Sequence, residues 1–156
     1  MDMQVCSYDD PVARKLIAEV QQEYVVRYGG PDETPIDPAE FAAPLGHFII
    51  GRVDGDPVAC GGWRAHDASE PGFEDGDAEL KRMYVAPRAR RRGLSRELLA
   101  ELESSARAAG RRRMILETGI AQPEAIALYT SSGYVEIEKF GFYSCSPNSR
   151  CFGKFL

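Results

Sequence analysis

The sequence contains few of the residues that build metal centres, disulfide frameworks or membrane spans. Only 2 of its 156 residues are histidines and 4 are cysteines, and no cysteine has a C-x-x-C or histidine partner at zinc-ligand spacing. We therefore expect no metal site, and cysteines that are small buried side chains or surface thiols in a reducing compartment. His47 and His66 have no sequence neighbours that would make either a catalytic base, so we expect them in a strand or loop.

Long apolar runs, repeats and low-complexity tracts are also lacking. No segment has the length of a signal peptide or a membrane span, which predicts a cytoplasmic protein without a membrane partner. Hydrophobic residues make up 44% and charged residues 28% of the chain, as in ordinary globular domains. We predict a single domain over residues 1–156.

Positive charge is scarce except in one stretch. Residues 81–113 contain 11 Lys+Arg against 3 Asp+Glu, whereas the remainder contains 8 against 21, for a net charge of -5. A basic block in an acidic chain favours one anionic ligand bound at one place over a nucleic acid, which the acidic remainder would repel. The alternative is a set of arginines on a solvated helix face.

The hydrophobic pattern predicts strands and helices in the order β-α-β-β-β-α-β-α-β-β. Strands are expected near residues 2–8, 47–53, 58–65, 77–85, 114–117, 134–138 and 150–155, and helices near 11–27, 95–109 and 123–131, with at most a short further helix at 38–42. Strand–helix–strand crossovers in the middle of the chain imply parallel pairing within a mixed sheet. The predicted class is α/β (α+β).

The most informative segment follows the strand that ends at Val85. It reads Arg90-Arg91-Arg92-Gly93-Leu94-Ser95 and leads into a helix. A helix start exposes backbone N–H groups and the positive end of the helix dipole, which together bind anions. Gly93 has no Cβ to keep a phosphate away, and arginines add charge-assisted hydrogen bonds. Because G-x-x-x-x-G-K-[ST] and G-x-G-x-x-G are both absent, this pyrophosphate site must belong to another class.

At these residues the chain resembles the GNAT superfamily of acyl-CoA-dependent N-acetyltransferases. The family's pyrophosphate loop reads [QR]-x-x-G-x-[GA], and this chain departs from it at Ser95. Residues 125–134 resemble the family's A-x-x-L-Y-x-x-x-G-[FY] helix and turn, with Gln122 where the family often has Asn. The resemblance covers roughly residues 77–136. It implies a GNAT fold, with a single mixed sheet of about six or seven strands that is splayed between the fourth and fifth strands and flanked by about four helices.

The resemblance also implies acetyl-CoA as the co-substrate and nominates the residues that contact it. The pantetheine arm would hydrogen-bond to the fourth strand as an added strand does. Backbone N–H groups of the arginine-rich loop would bind the pyrophosphate. The expected cofactor-binding residues are Met83, Tyr84, Val85, Arg90, Arg91, Arg92, Gly93, Leu94, Ser95 and Gln122.

Direct transfer to an amine requires a proton acceptor and a proton donor. Glu79 occupies the register of the catalytic glutamate in the family's histone acetyltransferases and is the predicted base. Tyr129, which the family places near the sulfur, is the predicted acid. The alternatives are a strand carboxylate paired with Lys81 or Arg82, and a tyrosine that only packs. Strict alternation along residues 79–85 would bury charge, so we expect a β-bulge there.

The family builds its acceptor site from the first helix, the following loop and the final strands. This nominates Glu23, Tyr24, Tyr28, Asp32 and Glu33 on one wall, and Phe140, Phe142 and Tyr143 on the other. Acidic and aromatic side chains suit a cation. The predicted activity is acetyl transfer to the primary amine of a small molecule. A protein lysine or N-terminal acetyltransferase and a non-catalytic acyl-CoA-binding module remain alternatives. The sequence leaves open whether the protein is a monomer or a homodimer.

Overall fold

A mixed β-sheet runs through the computed structural model, which describes residues 1–156. Its strands are β1 (Asp2–Val5), β2 (Gly46–Val53), β3 (Asp56–His66), β4 (Asp77–Val85), β5 (Arg113–Gly119), β6 (Val135–Ile137) and β7 (Ser149–Phe155). The α-helices are α1 (Pro11–Tyr28), α2 (Leu94–Ala108) and α3 (Pro123–Ser131), and two 3-10 turns cover Pro38–Phe41 and Pro87–Ala89. The predicted order of elements is confirmed.

The expected number of about four helices is corrected to three α-helices. The segment predicted as a short helix closes only the 3-10 turn Pro38–Phe41. Asp37 accepts a hydrogen bond from the Ala39 N–H at 3.0 Å, and its own N–H donates to Glu40 at 2.9 Å. These two hydrogen bonds form a capping box, which is typical of the start of a helix. The backbone is extended again at Ala42, so the helix ends after this single turn.

Local signals fix the ends of α1, the longest helix. Asp10 caps it by accepting from the Val12 N–H at 2.8 Å, Pro11 occupies the first turn, and Gly29 ends it with a left-handed φ of 83°. The buried face of the helix, with side chains at helical spacing, consists of Ala13, Leu16, Ile17 and Val20. None of the helices combines the length and the apolar composition that crossing a bilayer requires.

The sheet order is β1-β2-β3-β4-β5-β7-β6, and β4–β5 is its parallel pair. These two strands pair only where Asp77, Ala78 and Glu79 face Arg113, Met114 and Ile115. Beyond Glu79 they separate, while β5 remains paired with β7 as far as Gly119. The predicted splay between the fourth and fifth strands is therefore confirmed, and it leaves one edge of β4 free.

The predicted bulge in β4 is confirmed at Arg82. This residue has a φ of 58°, and the register with β3 shifts where Cys60 faces Tyr84 while Gly62 faces Lys81. Consecutive residues of a regular strand point to opposite faces. The bulge allows both Lys81 and Arg82 to reach the same side, where they contact one carboxylate.

The core is apolar and contains no disulfide. Trp63 is 1% exposed, and its ring N–H donates to Ser105 at 2.8 Å. All four cysteines are free, with Cys60 and Cys151 buried and Cys145 exposed. No group of three or more His, Cys, Asp or Glu side chains is placed to hold a metal ion.

Candidate active site

A cavity of about 1150 Å³ opens where β4 and β5 separate. Its walls come from α1, β4, β5, α3 and the segment before β7; we call it the large cavity. Most of the predicted cofactor-binding residues line it, namely Met83, Tyr84, Val85, Arg90, Arg91, Ser95 and Gln122. Arg92 and Gly93 lie outside its lining in the exposed loop, and the Leu94 side chain is buried in the core.

The loop before α2 presents a row of unused hydrogen-bond donors. None of the backbone N–H groups from Arg91 to Arg96 donates to any protein acceptor. Arg91 and Gly93 adopt left-handed φ values of 66° and 75°, and nothing lies within 4 Å of the position of a Cβ at Gly93. Successive N–H groups in such a turn, at the N-terminus of a helix, form a concave anion-binding surface.

The arginine side chains of this loop differ in what they contact. Arg90 donates from Nε to the Val85 carbonyl at 2.8 Å, and its Nη2 lies 2.5 Å from Glu23 on α1. Arg91 and Arg92 make no ion pair and are exposed. The predicted phosphate contacts of Arg91 and Arg92 therefore require no rearrangement of existing pairs, whereas that of Arg90 does.

Tyr129 lies on α3, is 8% exposed and lines the large cavity. Its ring packs edge-on against Tyr134 at 5.6 Å between centroids. The Tyr129 hydroxyl makes no hydrogen bond to the protein, whereas that of Tyr134 donates to Glu103 at 2.8 Å. Burial raises the pKa of Tyr129, so its phenol keeps its proton.

A second cavity, of about 340 Å³, adjoins the first; we call it the side cavity. Three residues line both cavities and define what we call the junction: Lys81, Glu117 and Tyr143. The predicted base, Glu79, lines the side cavity and not the large one. Phe142, predicted to bind the acceptor, also lines the side cavity and is 56% exposed.

Glu79 belongs to a network of buried charges. Its Oε1 accepts from Arg64 Nε, directly opposite on β3, and contacts His66 Nε2, each at 2.8 Å. The other His66 nitrogen contacts Glu70, so both ring nitrogens face carboxylates; burial opposes the charged imidazole, but these two carboxylates raise the pKa of His66 above its ordinary value. Burial alone would raise the pKa of Glu79, but the His66 hydrogen bond and the charges of Lys81 and Arg64 lower it to about 2.

Glu117, on β5, is a candidate that the sequence analysis missed. It is half-buried at the junction, and Ser149 Oγ donates to its Oε1 at 3.0 Å. Burial raises the pKa of Glu117 above its ordinary value. The sequence does contain a feature that could have indicated it. Glu117 is a single carboxylate that follows the apolar residues Met114–Leu116 of a strand beside the predicted splay.

Lys81 is held at the junction by Asp32, from the segment that follows α1. Its Nζ lies 2.8 Å from Asp32 Oδ2, which also accepts from Arg82 at 2.6 Å. Lys81 is 8% exposed, and Asp32 is the only protein partner of its ammonium group. Burial opposes ionisation of Asp32, but the two cations outweigh it and depress the pKa of Asp32 below its usual range.

Other predicted acceptor residues lie along α1, in the wall of the large cavity. They are Glu23, Tyr24 and Tyr28. Tyr28 donates to Gln122 at 3.1 Å, and its hydroxyl sits 2.1 Å from where a Cβ on Gly119 would lie. The end of α1 thus closes the large cavity beside β5, on the side where the cofactor is expected.

Comparisons with known proteins agree with this geometry. The sequence profile described as "Acetyltransferase (GNAT) family" matches residues 15–134. An IAA acetyltransferase from Azospirillum brasilense is 36% identical over 135 residues, which cover 86% of this chain and 84% of that protein. An aminoglycoside N(6')-acetyltransferase type 1 from Serratia marcescens is 29% identical, over 74% of this chain and 81% of that protein. A solved structure from Klebsiella pneumoniae, assigned as an acyl-CoA N-acyltransferase, is 30% identical and superimposes with a TM-score of 0.78, covering 99% of this chain and 97% of that one.

Proposed function

Because the chain belongs to the acetyltransferase (GNAT) family, we propose that it transfers an acetyl group from acetyl-CoA to the primary amine of a small molecule. The observation that carries this proposal is the position of the unused N–H groups from Arg91 to Arg96. Arg91 and Ser95, which carry two of these groups, line the large cavity together with residues of β4 and with Tyr129. The pyrophosphate would bind the loop, and the pantetheine arm would follow β4 from Val85 toward the junction.

The acetyl group would then lie near the junction, where the amine attacks the thioester carbonyl. A nitrogen–carbon bond forms, the carbon–sulfur bond breaks, and the amine gives up a proton while the thiolate takes one. An alkylamine with a pKa of about 10 is almost wholly protonated at neutral pH, so a proton acceptor is required before attack.

Two carboxylates are available as proton acceptors. Glu79 was predicted, but a pKa of about 2 makes it a weak acceptor because its charge is already stabilised by Arg64 and His66. Glu117 has a raised pKa and lies at the junction of both cavities. We therefore assign proton acceptance to Glu117, directly or through water, and give Glu79 the role of holding negative charge beside the amine.

Tyr129 is the proposed proton donor to the departing thiolate. Its hydroxyl has no protein partner, faces the large cavity and stays protonated because burial disfavours the phenolate. A free thiol has a pKa of about 8.5, so a thiolate released beside this phenol would accept its hydrogen bond or its proton.

The side cavity supports a small acceptor. Its volume of about 340 Å³ is at the lower end for ligand pockets and suits a compact molecule. The Serratia marcescens relative is named for a small-molecule acceptor, an aminoglycoside. A protein lysine or N-terminal acetyltransferase is better served by an open groove.

A screen of amines with acetyl-CoA, read as released thiol, tests the proposal. We expect small amines to raise thiol release well above the rate of acetyl-CoA hydrolysis. Faster release with lysine-containing peptides than with any small amine would favour protein acetylation. Tight binding of CoA without release by any acceptor would favour the non-catalytic alternative.

A further inference from the structure

We propose that the acceptor is an α-amino acid with an apolar or aromatic side chain, whose ammonium and carboxylate groups are both recognised at the junction. This inference rests on the proposed acetyl transfer and names its substrate class. Two observations support it. Lys81 and Glu117 at the junction have unused hydrogen-bonding capacity, and the side cavity next to them has an aromatic wall.

The two charged residues of the junction both have unused hydrogen-bonding capacity. An ammonium group has three N–H donors, and Lys81 uses its Nζ on Asp32 alone. Glu117 accepts from Ser149 with Oε1, and its Oε2 has no protein partner. Both side chains line both cavities, so a cation and an anion with spare capacity face the place where the two substrates meet.

An α-amino acid matches this pair because its ammonium and carboxylate are attached to the same carbon atom. The reacting nitrogen must lie at the thioester, and the carboxylate is then held within a few ångströms of it. Glu117 would receive the ammonium, and Lys81 would donate to the carboxylate in a charge-assisted hydrogen bond. A simple amine or a diamine would leave the buried Lys81 ammonium facing a like charge.

The side cavity suits the amino-acid side chain. Its wall contains Phe73, Phe140 and Phe142 beside Tyr143. The charged residues of its floor already have partners, since Arg64 pairs with Glu40 and Glu79, and His66 contacts Glu70 and Glu79. This aromatic wall favours an apolar or aromatic group.

Three acceptors that share one ring separate the contribution of the carboxylate. These are L-phenylalanine, L-phenylalaninamide and 2-phenylethylamine, compared by kcat/KM with saturating acetyl-CoA. We expect L-phenylalanine to exceed the other two by about tenfold or more, as the loss of one charged hydrogen bond at a buried group implies. The amide has a less basic amine, so a rate set only by the fraction of free amine would place L-phenylalaninamide above L-phenylalanine.

Lys81→Met tests which residue makes the discrimination. This variant should bring the ratio of kcat/KM for L-phenylalanine to that for 2-phenylethylamine close to one. Lys15→Met is the matched control, because it removes the same charge from an exposed residue that lines neither cavity; its ratio should equal that of wild type. If Lys81→Met does not fold, the comparison of kcat/KM for the three acceptors with the wild-type protein still tests whether the carboxylate is recognised.

The outcomes separate this inference from the proposed function. Acetylation of 2-phenylethylamine as efficient as that of L-phenylalanine would overturn the inference and leave small-molecule acetyl transfer standing. If no amine is acetylated, calorimetry of L-phenylalanine with the CoA-loaded protein becomes the readout. Binding that weakens tenfold in Lys81→Met would then support recognition without transfer, and no binding would overturn both.

Discussion

Arg90 and Glu23 face each other across the mouth of the large cavity, with 2.5 Å between Nη2 and Oε1. The same guanidinium donates to the Val85 carbonyl, a group predicted to hydrogen-bond the pantetheine arm. Arg90 thus occupies part of the proposed cofactor path, and Glu23 places a negative charge where a polyanion must pass. The free protein and its cofactor-bound form should therefore differ in the partners of Arg90.

The first prediction concerns the Glu23→Gln variant. Removal of the carboxylate should release Arg90 and lower the KM for acetyl-CoA by about two- to fivefold, the range expected for a partly exposed ion pair. Steady-state kinetics at low ionic strength measures it. Glu19→Gln, one turn earlier on α1 and outside the cavity lining, is the control for a long-range charge effect. An equal change in both variants would refute the specific role of Glu23.

The second prediction concerns the phosphate loop. Gly93→Ala and Gly110→Ala each place a Cβ on a residue with left-handed φ, 75° and 81°, and in neither case does the Cβ meet another atom within 4 Å. Both should lose about 1 kcal/mol of unfolding free energy, measured with urea. Only Gly93→Ala should raise the Kd of CoA, by about tenfold, because its Cβ would occupy open space next to the loop that is proposed to bind the phosphates. Unchanged CoA affinity in Gly93→Ala would place the pyrophosphate elsewhere.

The third prediction concerns the two packed tyrosines of α3 and the segment after it. Tyr129→Phe should lower kcat by about 100-fold or more, the usual loss for a general acid, with little change in CoA affinity. Its stability should hardly change, because the hydroxyl has no protein partner. Tyr134→Phe should retain kcat but lose about 1 kcal/mol of unfolding free energy, because the Tyr134 hydroxyl donates a hydrogen bond to buried Glu103. Equal kcat in Tyr129→Phe and wild type would exclude the acid role.

The fourth prediction concerns the dependence of kcat/KM on pH. A base must be deprotonated to act, so activity should fall as the pH is lowered through the raised pKa of Glu117. Glu117→Gln should lose most of the activity, and its remaining kcat/KM should no longer show this fall at low pH, the acidic limb of the profile. Glu79, with a pKa of about 2, remains ionised at every pH used for assay, so Glu79→Gln should keep the limb even if its rate is lower. A limb that disappears only in Glu79→Gln would return the base role to Glu79.

Elements set by local sequence could be predicted closely. Strand β4, Asp77–Val85, and helix α3, Pro123–Ser131, have the predicted bounds, because proline, glycine and apolar periodicity act within a few residues. The free N–H groups before α2 were likewise foreseeable, since any helix start leaves its first donors unpaired.

The surroundings of the carboxylates could not be predicted in the same way. Arg64 meets Glu79 only because the register of β3 with β4 places them opposite each other, and register is a long-range property. The number of arginines in residues 81–113 likewise does not indicate which of them are free to bind an anionic ligand. Arg88, Arg90 and Arg113 are neutralised by Asp56, Glu23 and Asp77, residues that are distant in the sequence.

The close approach of Tyr28 to Gly119 limits how this end of the molecule can evolve. A side chain at position 119 would meet the Tyr28 hydroxyl at 2.1 Å, so a substitution of this glycine requires the tyrosine side chain to move. Replacement of both together, by a small residue at 28 and alanine at 119, would remove the collision and widen the same end of the large cavity. Changes to the shape of this end of the large cavity should therefore begin with that pair.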